Sequence, residues 1–264
     1  MDGAAWRQEY EIDFEVEAGK KVWEDFDRTH YPYVTYDPDP KINPNAPHIG
    51  RHWPIWCGMD YGLVNPTVFT VNAMQSLDRA YQFDEVITVG KSPSEVAEIL
   101  REKWYFDHIS GYVGDSSIWR KHASDKPGQR KLTSVGEMFQ EQGIYIQHGS
   151  NAAGIDKDYI ALLNNNLWKN KQFPKWMISR DCVGTIDSYR KLQWLENKTP
   201  DSIDNNPDPE KIRNKDVDPF DANKYWHMSV PFESPEEVDA PPESFDWYME
   251  RMMRDDDEGV TMFG

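Results

Sequence analysis

The sequence is poor in cysteine, contains more acidic than basic residues and has no long apolar run. Its 264 residues include two cysteines, Cys57 and Cys182, which cannot build a disulfide framework and are typical of a protein in a reducing cytosol. No run approaches the roughly 18 apolar residues of a spanning helix. A mean hydropathy of −0.81 therefore excludes an integral membrane protein. The N-terminus also lacks the charged-then-apolar pattern of a secretory signal.

The deficit of basic residues is uneven along the chain. Lys and Arg number 29 against 46 Asp and Glu, which gives a formal net charge of −17. The net charge is −6 over residues 1–50 and −9 over residues 231–264, but only −2 over residues 51–230. A nearly neutral body between acidic ends neither excludes nor supports a nucleic-acid partner.

Proline and charge divide the chain into three parts. Residues 1–50 are polar and acidic, with five prolines from Pro32 to Pro47, and are predicted to be an extended linker with a possible short element at Trp6–Phe14. Residues 51–230 carry the strong helix and strand patterns and are predicted to form one domain. Residues 231–264 are rich in proline and acid and are predicted to be a flexible tail.

The body alternates strand and helix patterns in a definite order. Strands are predicted at Ile55–Met59, Thr67–Ala73, Arg79–Thr88, Tyr112–Gly114, Ile144–Gln147 and Lys175–Ser179. Capping boxes at Ser92–Glu95 and Ser134–Glu137 begin two helices. Further helices are predicted at Ile155–Trp168, over residues 183–195, and from Asp218 to Met228. The order β-β-β-α-β-α-β-α is that of the ribonuclease H-like fold, an α/β mixed sheet with helices on both faces.

Acidic residues stand where three of these elements begin or end. Asp60 ends the first strand, Asp115 follows the fourth, and Asp218 opens the last helix with Asp221 one turn later. The first and fourth strands of a mixed sheet can be neighbours, so these acids can converge. Hard divalent ions prefer oxygen ligands, and two such ions can cleave a phosphodiester. The alternative is that each acid only forms a turn or a helix cap; Glu85 is at most an auxiliary ligand.

The same segments resemble the nuclease domain of the large terminase subunit of tailed phages. The resemblance lies in Gly58-Met59-Asp60-Tyr61-Gly62, in Gly114-Asp115-Ser116, in Asp216-Val217-Asp218-Pro219-Phe220-Asp221-Ala222, and in the Trp6–Phe14 stretch. The third segment is similar to a family motif often written His-Asp-Asp-x-x-Asp-Ala. Asp216 and Val217 depart from it, which leaves Asp218 as the best-matched third acid and Asp221 as its competitor.

The resemblance implies a metal-dependent endonuclease that cuts double-stranded concatemeric viral DNA during genome packaging. Asp60, Asp115 and Asp218 would be the catalytic acids and would hold two Mg²⁺ or Mn²⁺ ions together with Asp221. The implied partners are the portal protein or procapsid and the small terminase subunit, in the host cytoplasm and not in the mature virion. No Gly-x-x-x-x-Gly-Lys-Ser/Thr sequence occurs, so the ATPase motor of the family is expected to be missing from this chain.

A basic segment follows the predicted Asp115 strand. It contains Arg120, Lys121, Lys126, Arg130 and Lys131. Such a loop beside an acid site could bind DNA phosphates, although charge runs are often merely solvated. Lys169, Lys171 and Lys175 form a second, weaker cluster.

Two other functions remain open from the residues alone. One is a different ribonuclease H-like nuclease, of the Holliday-junction resolvase or transposase type. The other is a portal-docking module whose nuclease site is vestigial. An apolar cluster in the acidic tail, from Phe245 to Met253, could dock on a partner or fold back on the body.

Overall fold

A single mixed sheet organises the protein. The computed structural model describes residues 20–62, 64–121, 133–150, 152–194, 212 and 217–230. Its strands are β1 (Thr35–Tyr36), β2 (Ile55–Asp60), β3 (Thr67–Ser76), β4 (Arg79–Thr88), β5 (Ile109–Gly114), β6 (Ile146–His148) and β7 (Trp176–Ser179). Their order across the sheet is β1-β7-β4-β3-β2-β5-β6.

Strand directions place the first and fourth predicted strands side by side. Strands β2, β3 and β4 form the predicted antiparallel meander. Strand β5 pairs parallel to β2, and β6 pairs parallel to β5. On the other side, β7 is parallel to β4 and β1 is parallel to β7. This mixed topology confirms the ribonuclease H-like fold predicted from the element order.

The five helices predicted in the body begin close to their expected positions, and two short helices that were not predicted precede them. The helices are α1 (Phe26–Thr29), α2 (Tyr31–Val34), α3 (Pro93–Arg101), α4 (Val135–Glu141), α5 (Ile155–Leu162), α6 (Val183–Lys191) and α7 (Asp218–His227). Both predicted capping boxes form, at the starts of α3 and α4. The helix predicted to run to Trp168 changes at Leu163 into a π-helical turn, Leu163–Leu167. No helix among the described residues is long and apolar enough to cross a membrane.

Each face of the sheet has its own apolar core. One core joins Ile55, Cys57 and Met59 of β2 to α3 and α4, whereas the other joins the opposite face to α5, α6 and α7. Trp56 packs against this second core. Because side chains alternate between the faces of a strand, Gly58 and Asp60 share the face of Trp56. The terminal acid of β2 is therefore directed toward the side that carries α7.

Residues 23–36 are folded, which corrects the extended linker predicted for this stretch. Trp23, Phe26 and Val34 are buried in the α5–α7 core, and β1 extends the sheet. The Trp23 indole stacks on Tyr189 with ring centroids 5.7 Å apart. The burial of these aromatic and apolar side chains outweighs the polar and proline-rich composition around them. The domain boundary at residue 50 stays a prediction, and residues 1–19 and 231–264, with the Trp6–Phe14 stretch and the tail, lie outside the described residues.

Candidate active site

The parallel pairing of β2 and β5 brings Asp60 and Asp115 to one edge of the sheet. Met59 lies opposite Gly114 in the register of the two strands. Asp60 is the residue after Met59, and Asp115 is the residue after Gly114. The carboxyl ends of neighbouring parallel strands meet at the same edge, where open α/β sheets commonly bind ligands. The prediction that these two strand ends are neighbours is confirmed.

A glycine lets α7 lie directly on β2. A Cβ atom built on Gly58 would be 2.1 Å from the carbonyl oxygen of Ala222 and 2.8 Å from Thr70 Oγ1. Only a residue without a side chain leaves room for such a close approach of two backbones. The glycine two positions before Asp60 thus fixes the distance from the strand to the helix that carries Asp218 and Asp221.

Helix α7 presents its two acids in its first turn. Asp218 is the first helical residue, Pro219 follows it, and Asp221 lies three residues later. Acids are favoured at a helix N-terminus because they complement the positive end of the helix dipole, and Pro suits the first turn. Residues three apart on a helix lie on the same face. The start of α7 can therefore direct both carboxylates toward the end of β2.

The electrostatics show that the four acids share one environment. Burial, followed by the nearby carboxylates of Asp221, Asp218 and Asp115, raises the pKa of Asp60 to about 8. Burial also raises the pKa of Asp221 to about 6, although Lys224 opposes that rise. Like charges confined in a partly buried site disfavour one another's ionisation. The cluster is therefore short of positive charge, a property expected of a site for cations.

Lys224 is a site residue that the sequence did not predict. Its ammonium lies 2.5 Å from Asp221 Oδ1 and 2.7 Å from Asp156 Oδ1, and its side chain is only 7% exposed. Its charge also lowers the pKa of Asp60. Lysine is almost never this buried unless it is paired. The lysine on α7 thus links the acid cluster to Asp156 in the first turn of α5.

Asp115 also caps a short helix. Its Oδ1 accepts a hydrogen bond from the Ser117 backbone N–H at 2.9 Å, and its Oδ2 accepts one from the Ser117 hydroxyl. These bonds begin the 3₁₀ turn Ser116–Trp119. Capping and ligand roles are compatible because a carboxylate has about four lone-pair positions. Ser117 therefore orients the carboxylate without using all of its acceptor capacity.

The residues fit a hard divalent cation in donor chemistry and in charge. The four clustered side chains are all carboxylates, which Mg²⁺ and similar ions prefer, and their repulsion would be relieved by added positive charge. Among the described residues, however, no group of three or more His, Cys, Asp or Glu side chains is arranged ready to hold a metal. Two of the carboxylates already have partners: Asp115 accepts a hydrogen bond from Ser117, and Asp221 forms an ion pair with Lys224.

Glu85 belongs to a different part of the structure. Its carboxylate accepts hydrogen bonds from the backbone N–H groups of Gly184 at 2.7 Å and Thr185 at 2.8 Å, and from the Thr185 hydroxyl at 2.7 Å. These bonds satisfy the N-terminus of α6. In this structure Glu85 therefore caps α6, and the auxiliary ligand role considered for it stays a prediction.

The predicted basic loop is described only at its start. Arg120 follows the 3₁₀ turn that Asp115 begins, and Lys121 lies 3.4 Å from the Glu137 carboxylate. Lys126, Arg130 and Lys131 lie outside the described residues. The described part of the loop therefore leaves the sheet beside the acid cluster.

The second basic cluster lies elsewhere. Lys169, Lys171 and Lys175 line a cavity of about 780 Å³ together with Arg79. Arg79 begins β4 and Lys175 precedes β7, and both strands run in the direction of β2. The cavity thus lies at the sheet edge opposite Asp60.

The comparison with known structures identifies the fold. The large terminase of a thermophilic bacteriophage, solved in complex with ADP, matches 80% of this chain at a TM-score of 0.56 and 17% sequence identity. The nuclease domain of the P22 large terminase matches 79% of this chain and 92% of its own length, at a TM-score of 0.50 and 10% identity. The chain has the terminase nuclease fold. No protein-family model matches the sequence, and no curated protein matches it significantly.

The match to the whole terminase is partial. This chain covers 45% of the length of the thermophilic phage protein, whereas it covers almost all of the isolated P22 nuclease domain. At these identities the likeness shows the shared fold and confirms the fold class predicted from the sequence. The candidate active site of this fold is the acid cluster at the ends of β2 and β5 and the start of α7.

Proposed function

We propose that this chain is a metal-dependent endonuclease that cuts double-stranded viral DNA concatemers during genome packaging. The observation that carries the proposal is the convergence of Asp60, Asp115 and Asp218 at one sheet edge of a terminase nuclease fold. The acids come from two strand ends and a helix start, which is a rigid frame for a catalytic constellation. We also propose that the protein acts in the host cytoplasm, with the portal protein or procapsid and the small terminase subunit as its partners.

Each residue has a proposed role in binding and orientation. Asp60, Asp115 and Asp218 would hold the divalent ions through their carboxylate oxygens. Asp221 competes with Asp218 for the role of the third acid. When bound, two Mg²⁺ or Mn²⁺ ions supply alignment of a water and stabilisation of the leaving oxygen in phosphodiester hydrolysis. Ser117 orients Asp115, and Gly58 keeps α7 close to β2. Before metal binding, the acids repel one another and the DNA phosphates.

Cleavage of plasmid DNA with and without Mn²⁺ tests the proposed function. We expect cleavage only with the metal, and its loss in each of Asp60→Ala, Asp115→Ala and Asp218→Ala, because each removes an oxygen ligand. A matched control is Asp107→Ala, whose exposed carboxylate precedes β5 at the opposite edge of the sheet. Full activity in a folded Asp60→Ala protein would contradict the two-metal mechanism. Complete inactivity of the native chain would instead favour the docking module with a vestigial site.

The loop after Asp115 is proposed to hold the DNA backbone beside the acids. Replacing Arg120, Lys121, Arg130 and Lys131 with Ala should weaken DNA binding for every sequence and reduce the salt slope by about 1 for each phosphate that the variant no longer binds. Metal affinity should not change, because the carboxylates remain. Binding is measured against salt concentration with Ca²⁺ in place of the catalytic metal.

The opposite basic cluster provides the control for this experiment. Alanine at Lys169, Lys171 and Lys175 removes three positive charges at the edge of the sheet remote from Asp60. We expect a smaller change in the affinity for DNA and in the salt slope than with the loop variant. If the loop variant binds DNA as the native protein does and the control variant does not, then the opposite edge holds the DNA.

A further inference from the structure

The ion pair between Lys224 and Asp221 bears on which acid completes the metal site. Asp218 and Asp221 both lie in the first turn of α7. Asp221 contributes more than Asp218 to the raised pKa of Asp60, so proximity alone would favour Asp221. Yet the Asp221 carboxylate contacts the Lys224 ammonium at 2.5 Å.

The position of Lys224 is fixed from more than one side. Asp156 of α5 holds the same ammonium at 2.7 Å. The ammonium also lies 5.2 Å from the centroid of the Tyr225 ring and 5.9 Å from that of Phe220, distances at which a cation is attracted to an aromatic face. A buried cation between two carboxylates is costly to separate from either one. Asp221 is therefore held away from other cations by a partner that cannot easily leave.

We propose that Lys224, anchored by Asp156, is a positioning residue that keeps the Asp221 carboxylate out of the metal site, so that Asp218 supplies the third acid. The inference rests on the proposed function, because it concerns the same metal site. It accounts for two features together: a fourth acid beside Asp60, and a buried lysine one helical turn away. Asp221 then pairs with Lys224 and does not itself act as a metal ligand.

The experiment measures Mn²⁺ affinity by titration calorimetry, without DNA and without cleavage. In the native background, Asp218→Asn should weaken Mn²⁺ binding more than Asp221→Asn does, because only Asp218 is proposed to supply a metal ligand. The double variant Asp221→Asn with Lys224→Met replaces the ion pair by two neutral side chains. It should lower the Mn²⁺ affinity less than Asp218→Asn does, because neither replaced residue would be a metal ligand and the net charge beside the site is unchanged.

A second comparison tests the positioning role of Lys224. When Lys224→Met frees Asp221, that carboxylate can replace Asp218, so the effect of Asp218→Asn should shrink to less than half its native value on a logarithmic scale. Comparing variants within the Lys224→Met background cancels the general gain in cation affinity from removing a positive charge. Lys191→Met, at an exposed lysine of α6, is the control and should leave the effect of Asp218→Asn unchanged.

The outcomes separate this inference from the proposed function. If Lys224→Met alone does not fold, the Asp221→Asn/Lys224→Met variant still decides, because it removes both charges of the pair on α7. Loss of Mn²⁺ binding in that folded double variant, or equal losses from Asp218→Asn and Asp221→Asn in the native background, would overturn the inference. Absence of Mn²⁺ binding by the native chain would overturn the metal-dependent function itself.

Discussion

Asp60→Asn should abolish cleavage and at the same time make the metal-free protein more stable at pH 8. We expect Mn²⁺-dependent cleavage of plasmid DNA to fall about 10³-fold or more, because the variant lacks the central carboxylate of the proposed metal site. The thermal midpoint without metal should rise by roughly 5 °C or more at pH 8. A residue retained for catalysis at the expense of stability would produce this combination.

The sign of the stability change follows from the raised pKa. In the unfolded chain Asp60 ionises near 3.8, whereas in the folded protein burial and the carboxylates of Asp221, Asp218 and Asp115 raise its pKa to about 8. Folding stability associated with Asp60 is therefore fully present below pH 3.8 and is lost as the pH rises toward 8. An amide has no such loss, and we expect a gain on the order of 3 kcal/mol at pH 8.

Two controls make this prediction specific. Near pH 4 the native protein and Asp60→Asn should melt within about 2 °C of each other, because both then carry a neutral side chain at this position. Asp107→Asn removes an exposed charge at the other edge of the sheet and should leave both cleavage and the midpoint close to native. A lower midpoint for Asp60→Asn than for the native protein at pH 8 would contradict the electrostatic account of the cluster.

The sequence predicted most of the frame because its local signals are strong. Ser92 and Ser134 form the two capping boxes expected from their spacing to Glu95 and Glu137, and the turn before Arg79 sets the β3–β4 hairpin. The element order indicated a ribonuclease H-like mixed sheet, in which the first and fourth strands can be neighbours. The parallel pairing of β2 and β5 confirms this arrangement and brings Asp60 and Asp115 together.

What the sequence did not predict depends on contacts between distant residues. Lys224 pairs with Asp156, which lies 68 positions earlier, and no local pattern links the two. One signal was present: Lys224 lies on a helix whose neighbouring residues Phe220, Ala222 and Trp226 are all buried. A lysine within such an apolar surround is expected to need an acidic partner.

The sequence also could not distinguish an acid of the candidate site from an acid that caps a helix. Asp60 and Glu85 are both acidic residues in or at the end of a strand. Only the packing of α6 reveals that Glu85 binds the backbone N–H groups of Gly184 and Thr185.

Composition led to a wrong prediction in the N-terminal part, which was expected to be an extended linker. Polar residues and prolines there surround Trp23 and Phe26, which belong to the core.

Gly58→Ala should separate the helix that carries the third acid from the strand that carries the first. The new Cβ would lie 2.1 Å from the Ala222 carbonyl oxygen and 2.8 Å from its carbon, far inside any normal contact, so α7 or β2 must move by about 1 Å. We expect a decrease of about 1–3 kcal/mol or more in the free energy of unfolding. Displacement of the acids on this scale should lower cleavage about 100-fold.

The new methyl group would clash with the backbone of Ala222. Removing a neighbouring side chain should therefore fail to restore the stability of the Gly58→Ala protein. Thr70→Ala removes the nearest side-chain atom, Thr70 Oγ1 at 2.8 Å, and should not restore the Gly58→Ala protein, because the Ala222 carbonyl remains. Gly184→Ala is the matched control: its Cβ would meet Ile87 Cδ1 at 2.4 Å and Glu85 Oε1 at 3.1 Å, the ends of side chains that can move, and alanine favours the helix. Chemical denaturation, Mn²⁺ affinity and Mn²⁺-dependent cleavage of plasmid DNA are measured for all three variants. If Gly58→Ala folds, binds Mn²⁺ and cleaves as the native protein does, then the contact between α7 and β2 does not position the catalytic acids.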